Sequence, residues 1–222
     1  RMKTISARLA ALCLTALCFV LAGAFAAPQA MAHPHVWVAA RATVLFDKEG
    51  RVAGVRNSWT FDEMYSAFAT QGLGKDGQPP TREELQPLAK TNIDSLAEFD
   101  YFTFAKEAGK KAVFQPPSDY WLEADEKKVV SLHFTVLLKE PIAAKAFSFQ
   151  VYDPSYFVAF GFEKKDPIAM KDAPAGCSSS VMEPAPLLAA ESQRLSQAAT
   201  ENFSPGGDLS ARLAPRVVVA CP

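Results

Sequence analysis

Two histidines separated by a single proline, His33 and His35, are the residues of this chain best suited to bind a metal ion. Neutral imidazole is a common ligand for late first-row transition metals, and alternate residues of a strand point to one face. Pro34 has no amide hydrogen, which disfavours square-planar binding through peptide nitrogens. The motif predicts a site for zinc or another divalent transition metal, with copper as an alternative. A solubilising chain end would explain the same residues without a metal.

The third histidine, His133, lies in an alternating segment typical of a strand. It can be a half-buried strand residue, or a further ligand if its strand lies beside the first hairpin. Zinc usually has four ligands, so a carboxylate would complete the set. The candidate carboxylates are Asp62 and Asp153, followed by Glu63, Asp100 and Asp119.

The loop 72–83 has the register of a calcium-binding EF-hand loop, with Asp76 at position five and Glu83 at position twelve. Positions one and three are Gly72 and Gly74, which supply no side-chain ligand. We therefore expect no useful calcium affinity, and a helix–loop–helix shape that forms without the ion.

The first 32 residues have the pattern of a secretory signal peptide. Basic residues precede an apolar run over 9–22, and the segment ends in Ala30-Met31-Ala32, with small residues at the cleavage positions. We expect export to the periplasm with cleavage after Ala32. His33 would then carry a free amine, which adds a third nitrogen ligand.

The remaining residues, 33–222, are acidic and carry few cysteines. Without Arg1, Lys3 and Arg8, the 23 basic residues become 20, against 24 acidic ones. This balance argues against nucleic acid as a partner, and the absence of a second long apolar run argues against membrane insertion after cleavage. Cys177 and Cys221 are an even pair in an exported chain, which predicts one disulfide.

Alternating apolar residues predict an α+β fold that is mainly antiparallel and sandwich-like, in a single domain over 33–222. The expected strands are 36–46, 51–61, 102–106, 111–115, 120–124, 129–138, 146–153, 156–163, 179–182 and 216–221.

The hydrophobic period changes to that of a helix between the second and third strands. We predict a helical insertion over about 62–100, with a capping box at Thr81-Arg82-Glu83-Glu84 starting a helix. Residues 184–208 are rich in Ala, Pro and Ser, which indicates a mobile surface segment with a candidate helix over 187–199.

Two segments, 59–66 and 152–157, combine aromatic residues with Asp and Ser. They could line a cleft, or they could be core aromatics beside a helix N-cap and a turn, which is the interpretation we favour. Ser66 and Ser155 have no His–Asp partners by spacing, so a hydrolase triad is not supported.

Five segments follow one another in an order typical of one family: His33–Val36, Trp59–Ser66, the loop ending at Glu83, Leu96–Phe102 and Tyr152–Tyr156. In these segments the chain resembles the periplasmic family called domain of unknown function 1007, also described as the periplasmic component of an uncharacterised ABC-type transport system. The resemblance covers essentially all of 33–222.

This resemblance implies a periplasmic accessory to a membrane permease of the nickel/cobalt type, and at least one such pair is associated with zinc acquisition. Only His33-Pro34-His35 matches a metal-ligand pattern, and the glycines at 72 and 74 depart from the fuller Asp-rich loop of some members. We expect a non-enzymatic metal-binding accessory. The alternatives are a metal-independent adaptor and a copper-dependent enzyme that would use His33 together with His133.

Overall fold

The computed structural model describes residues 35–117, 119–187 and 206–222. His33, the expected signal segment 1–32 and nearly all of the candidate helix 187–199 lie outside these ranges. The described residues belong to the unit that spans His33–Pro222.

Alternation of buried and more exposed residues builds the long first hairpin, with one interruption at Gly54 and Val55 of the second strand, which are both buried. Strands β1 (Val36–Phe46) and β2 (Arg51–Phe61) pair antiparallel and otherwise send every second side chain into the core. Between them, Asp47 Oδ1 accepts the backbone N–H of Glu49 (3.0 Å) and of Arg51 (2.8 Å). This local hydrogen bonding closes the turn, and the predicted hairpin is confirmed.

The hairpin forms the centre of the first sheet, whose strand order is β5-β6-β2-β1-β8, with β9 also pairing with β1. Strands β8 and β9 run parallel to β1 and pair with its first and second halves. The bounds of the added strands are Tyr120–Ala124 (β5), Val130–Ala143 (β6), Val158–Phe162 (β8) and Ile168–Lys171 (β9).

The second sheet is antiparallel throughout, in the order β10-β11-β7-β3-β4. With the first sheet it confirms the predicted, mainly antiparallel fold class. Its strands are Thr103–Glu107 (β3), Lys110–Ala112 (β4), Phe147–Val151 (β7), Ser178–Met182 (β10) and Arg216–Ala220 (β11).

The predicted helical insertion is present between β2 and β3. It consists of α1 (Glu63–Ala69), α2 (Arg82–Leu96) and a 3₁₀ segment over Ala97–Phe102. The capping box starts α2, because the Thr81 hydroxyl accepts the Glu84 N–H and the Glu84 carboxylate accepts the Thr81 N–H. A third helix, α3 (Gly206–Leu213), precedes β11 and was not predicted.

The core lies between the two sheets and is centred on Trp59 of β2, which is 2% exposed. Its indole packs edge-on against Phe134 and Phe160, with ring centroids 4.8 Å apart in each case. A buried polar contact joins the sheets, since Asn57 Nδ2 donates to Thr103 Oγ1 at 3.0 Å. Helix α2 adds its own buried residues, Leu85, Ala89 and Ile93.

Two strand predictions need correction. Strand β6 does not end at 138; it continues to Ala143, and the register with β2 shifts between Val52 and Gly54. Pro141 lies on the β6 side of this shift. It has no amide hydrogen to pair, and a sheet tolerates such a residue where the strand pairing is irregular. Strand β9 was missed because a four-residue strand held by a non-local parallel partner has little pattern of its own.

The predicted disulfide between Cys177 and Cys221 is confirmed. The two cysteines flank the paired strands β10 and β11, and they are 44 residues apart in sequence. A cross-link over a loop of this length removes freedom from the unfolded chain and stabilises the fold by about 3–4 kcal/mol.

We predict that replacing both cysteines with serine lowers the free energy of unfolding by about 3–4 kcal/mol. Urea unfolding followed by tryptophan fluorescence measures this change. Reductant should bring the wild-type midpoint to that of the variant and leave the variant unchanged. A wild-type midpoint that does not respond to reduction would contradict the prediction.

Candidate functional site

His35 lies immediately before β1 and is exposed to solvent. Its backbone N–H donates to the carbonyl oxygen of Phe157 at 2.9 Å, and its imidazole ring lies 4.8 Å from the Phe157 ring, centroid to centroid. The backbone of His35 is therefore fixed, while its side chain is accessible at the end of the sheet.

Asp62 joins the end of β2, the start of α1 and the start of β1. Its Oδ1 accepts the N–H of Tyr65 at 2.8 Å as the N-cap of α1, and its Oδ2 accepts the N–H of Trp37 at 2.9 Å. The Asp62 N–H in turn donates to the Trp37 carbonyl at 3.0 Å. Asp62 therefore lies opposite Trp37, which is two residues along the chain from His35. Backbone N–H groups donate to both of its carboxylate oxygens.

Asp153 organises the turn before β8 and is only 3% exposed. Its Oδ1 accepts the backbone N–H (2.8 Å) and the hydroxyl (2.7 Å) of Ser155, and its Oδ2 accepts the N–H of Val158 at 3.0 Å. These bonds fix the turn that places Phe157 against His35. Ser210 of α3 supports the turn from behind by donating to the Pro154 carbonyl at 3.2 Å.

Three of the segments singled out in the sequence therefore meet at one end of the first sheet. The parallel pairing of β8 with β1 sets Val158 opposite Val36, which brings the 152–157 turn to the entrance of β1. Asp62 contacts Trp37, two residues from His35, and Asp153 contacts Val158, which lies opposite Val36. Each carboxylate is satisfied as a cap or a turn residue. Their part in metal binding stays a prediction.

The serines of these segments also have structural partners. Ser66 of α1 is buried, and its Oγ accepts the N–H of Val130, which ties α1 to β6. Ser155 donates to Asp153. The N-cap and turn interpretation that we favoured for both segments agrees with these contacts.

His133 belongs to a different cluster, on the side of β6 that faces away from the core. Its ring stacks on Trp121 with centroids 4.8 Å apart, and its Nε2 lies 3.1 Å from Glu123 Oε1. That contact is electrostatic, because no described residue is aligned for a hydrogen bond with Nε2. Arg82 completes the cluster by donating to Glu123 Oε2 at 3.0 Å and lying 5.0 Å above the Trp121 ring.

The strand register separates His133 from His35. The expected adjacency of strands is present, since β6 pairs with β2, but His133 lies opposite Ser58, and Ser58 lies opposite Arg41. Arg41 is six residues along from His35, so the two histidines are about 20 Å apart at the rise of a β-strand. The structure does not bring them into one site, as a shared zinc site or a copper enzyme would require.

The remaining candidate carboxylates are dispersed. Asp100 pairs with Lys111 at 2.7 Å and Asp119 with Arg56 at 3.2 Å, whereas Glu63 is exposed in the first turn of α1. Within the described ranges, no group of three or more His, Cys, Asp or Glu side chains is placed to hold a metal ion.

The loop between α1 and α2 gives the expected helix–loop–helix shape. Asp76 and Glu83 are both exposed, and Asp76 has a positive φ of 52°. A side chain at Gly74 would meet the Gln78 carbonyl oxygen at 2.5 Å, so the loop requires glycine there. Calcium binding by this loop is untested.

Residues of the 59–66 and 152–157 segments line a cavity of about 230 Å³ beside the end of the first sheet, as the alternative interpretation of these segments allowed. Aromatic residues line most of it, and Asn92 and Ser95 of α2 add polar groups. The aromatic density of 59–65 was visible in the sequence. The contribution of α2 was not, because it depends on how the helix packs over the sheet.

A strained stretch of backbone reaches this cavity at one residue, Phe102. Asp100, Tyr101 and Phe102 have consecutive positive φ values of 52°, 54° and 47°. Each such residue costs of order 1 kcal/mol or more, and the surrounding packing must hold it. The stretch sets Phe102 against Phe160 with ring centroids 5.8 Å apart.

The sequence model of one protein family matches residues 18–221. The chain belongs to the family described as "Protein of unknown function (DUF1007)". An uncharacterized protein of Haemophilus influenzae is 25% identical to it over 169 residues, which cover 74% of this chain and 80% of that protein. The resemblance seen in the sequence is confirmed at the level of the family, and these relatives assign no activity. Among the described residues, no helix is long and apolar enough to cross a membrane.

We predict that replacing Asp62 with alanine lowers the free energy of unfolding by about 2 kcal/mol, because the N-cap and the partner of the Trp37 amide are both lost. Asn at 62 should recover roughly half of this, since its carbonyl can still cap α1. Urea unfolding measures both variants. Glu63→Ala, at the exposed neighbouring position, is the matched control and should change stability little. Equal stability of Asp62→Ala and wild type would contradict the bonding described here.

His133 predicts a pH dependence of stability. Burial lowers the pKa of His133 below its ordinary value of 6.5; Glu123 opposes this, and Arg82 and Arg56 add to it. The unfolded chain then binds the proton more readily, so stability is retained above about pH 6.5 and falls as the pH drops below it.

The measurement is the urea midpoint of wild type and of His133→Gln between pH 8 and pH 5. We expect the wild-type midpoint to fall more steeply than that of the variant below pH 6.5, and the two curves to run parallel above it. Parallel curves across the whole range would show that His133 does not carry the effect.

Proposed function

We propose that this protein is a periplasmic accessory that binds a divalent transition metal, most readily zinc, through His33 and His35. It passes the ion to or from a membrane permease of the nickel/cobalt type. The observation that supports this best is the placement of His35, which is exposed on a backbone anchored to Phe157 at the end of the sheet.

Transfer of a metal requires ligands that can exchange. Zinc bound to two imidazoles and a terminal amine keeps an open position, which a group of the permease could fill. A pair of histidines at the start of a strand offers this more readily than a closed structural site. The role involves no catalytic step.

Two further features support the proposal. The Cys177–Cys221 disulfide fits an oxidising compartment such as the periplasm. The Asp62 carboxylate, bonded to the Trp37 amide, places negative charge near the start of β1, which favours a cation there.

The test is zinc titration by calorimetry of protein that begins at His33, with the terminus verified by mass. We expect His35→Ala, or one alanine added before His33, to weaken zinc binding at least tenfold, because each removes a nitrogen ligand. His133→Ala is the matched control and should bind as wild type does. Absence of zinc, copper and nickel binding by the native-terminus protein would refute the proposal.

A second candidate, a metal-independent adaptor, is favoured by one observation. Met64 and Phe68 are 69% and 76% exposed, and they lie four residues apart on one face of α1. Large apolar side chains grouped on a surface fit contact with another protein.

Metal-limited growth of cells carrying each variant separates the two candidates. The accessory role predicts that the double variant His33→Ala, His35→Ala loses transport. The adaptor role predicts that this variant keeps transport and that Met64→Ser, Phe68→Ser loses it. Leu137→Ser, at another exposed apolar position, is the control.

A further inference from the structure

The cavity beside the first sheet has the composition of a small-molecule site. Its lining is apolar and aromatic apart from a few polar groups, among them Tyr65, Asn92 and Ser95, which is the usual pattern of ligand pockets. Its volume of about 230 Å³ exceeds the roughly 150 Å³ of an engineered cavity that admits benzene. Phe99 and Phe157, which are 44% and 46% exposed, connect it with solvent.

One buried donor among the lining residues lacks a partner. Trp59 lines the cavity, and its Nε1–H is buried with no hydrogen-bond acceptor among the described residues. Because this N–H is buried away from the cavity surface, a ligand would contact the Trp59 ring and not its donor, and the Trp59 resonance serves as a reporter of binding.

Tyr65 offers a hydrogen-bond donor at this cavity. Burial and the charge of Asp62 raise the pKa of Tyr65, so its hydroxyl stays protonated at neutral pH. Its distance to Asn92 Oδ1 is 3.5 Å, at the long limit of a hydrogen bond, while Asn92 Nδ2 is held by the Leu88 carbonyl at 2.9 Å. The Tyr65 hydroxyl is therefore weakly engaged and can turn to a ligand.

The lining also determines the charge of the ligand. None of the described residues that line the cavity is a Lys, Arg, His, Asp or Glu. The nearest charge that acts on Tyr65 is the negative Asp62. A carboxylate ligand would be buried without a neutralising cation and would be repelled by Asp62. A cationic ligand would be buried without a neutralising anion.

We propose that this cavity binds an uncharged, mostly apolar molecule about the size of one substituted six-membered ring, with a carbonyl-type acceptor directed to the Tyr65 hydroxyl. The site is distinct from the metal site proposed at His33 and His35. It adjoins that site through Phe157, whose ring lines the cavity and lies against the imidazole of His35.

The test uses protein labelled with ¹⁵N at its three tryptophans, titrated with acetophenone, ethylbenzene or benzoate. The Trp59 indole resonance is assigned by its loss in Trp59→Phe, and independently by elimination in the surface variants Trp37→Phe and Trp121→Phe. We expect acetophenone to shift the Trp59 resonance saturably. Ethylbenzene, which has no acceptor, and benzoate, which is charged, should each bind at least about tenfold more weakly than acetophenone.

Two variants locate the binding. Ser95→Phe places a ring in the mouth from an exposed position and should abolish the acetophenone shift, whereas Gln86→Phe, exposed on α2 outside the cavity, should leave it unchanged. His35→Ala should also leave it unchanged, which separates this site from the metal site.

No saturable shift with acetophenone, or equal binding by Ser95→Phe and wild type, would overturn the site. Ethylbenzene binding as tightly as acetophenone would overturn the assignment of Tyr65 as the donor.

Discussion

The carboxylate of Asp62 is the interaction on which the candidate site depends. Strand β2 turns into α1 at this residue, because the Asp62 carbonyl accepts the Ser66 N–H at 2.9 Å and is lost to the sheet. Oδ2 of the same residue takes the place of that carbonyl and accepts the Trp37 N–H. The start of β1 therefore stays paired where its neighbouring strand has already become a helix. Without this side-chain acceptor in place of the carbonyl, the entrance to β1, and His35 beside it, would be paired on the β8 side only.

The other side of that entrance is held by a non-local parallel strand. Asp153 fixes the turn before β8, and β8 pairs with β1 so that the Phe157 carbonyl meets the His35 amide. The Phe157 ring then separates the imidazole from the aromatic cavity. One residue thus contributes its backbone to the metal site that we propose and its side chain to the ligand site.

The elements that could be predicted are those whose signals are local. The first hairpin has a clear alternation and the turn Asp47-Lys48-Glu49-Gly50, α2 has a capping box, and Cys177 and Cys221 are the only cysteines outside the predicted signal segment. The elements that could not be predicted depend on residues far away in the sequence. They are β9, the continuation of β6 through Pro141, and the part of the cavity wall that α2 forms. The position of His133 relative to His35 could not be predicted for the same reason. Adjacency of its strand to the hairpin was foreseeable, but a shift along the strand by a few residues, which periodicity does not specify, determines whether it reaches His35.

The two histidines that the structure describes have different surroundings, which suit them to different roles. His133 is 16% exposed, stacked on Trp121, and faced by two arginines that lower its pKa together with burial. Positive charge from Arg82 and Arg56 opposes a metal cation as it opposes a proton, so this imidazole is better suited to packing the sheet face. His35 is exposed, and the carboxylate nearest to it along β1, that of Asp62, is bonded to backbone amides rather than to a cation. Its negative charge is therefore not cancelled by a salt bridge in the described structure, which is the electrostatic reason for proposing a divalent cation at the start of β1.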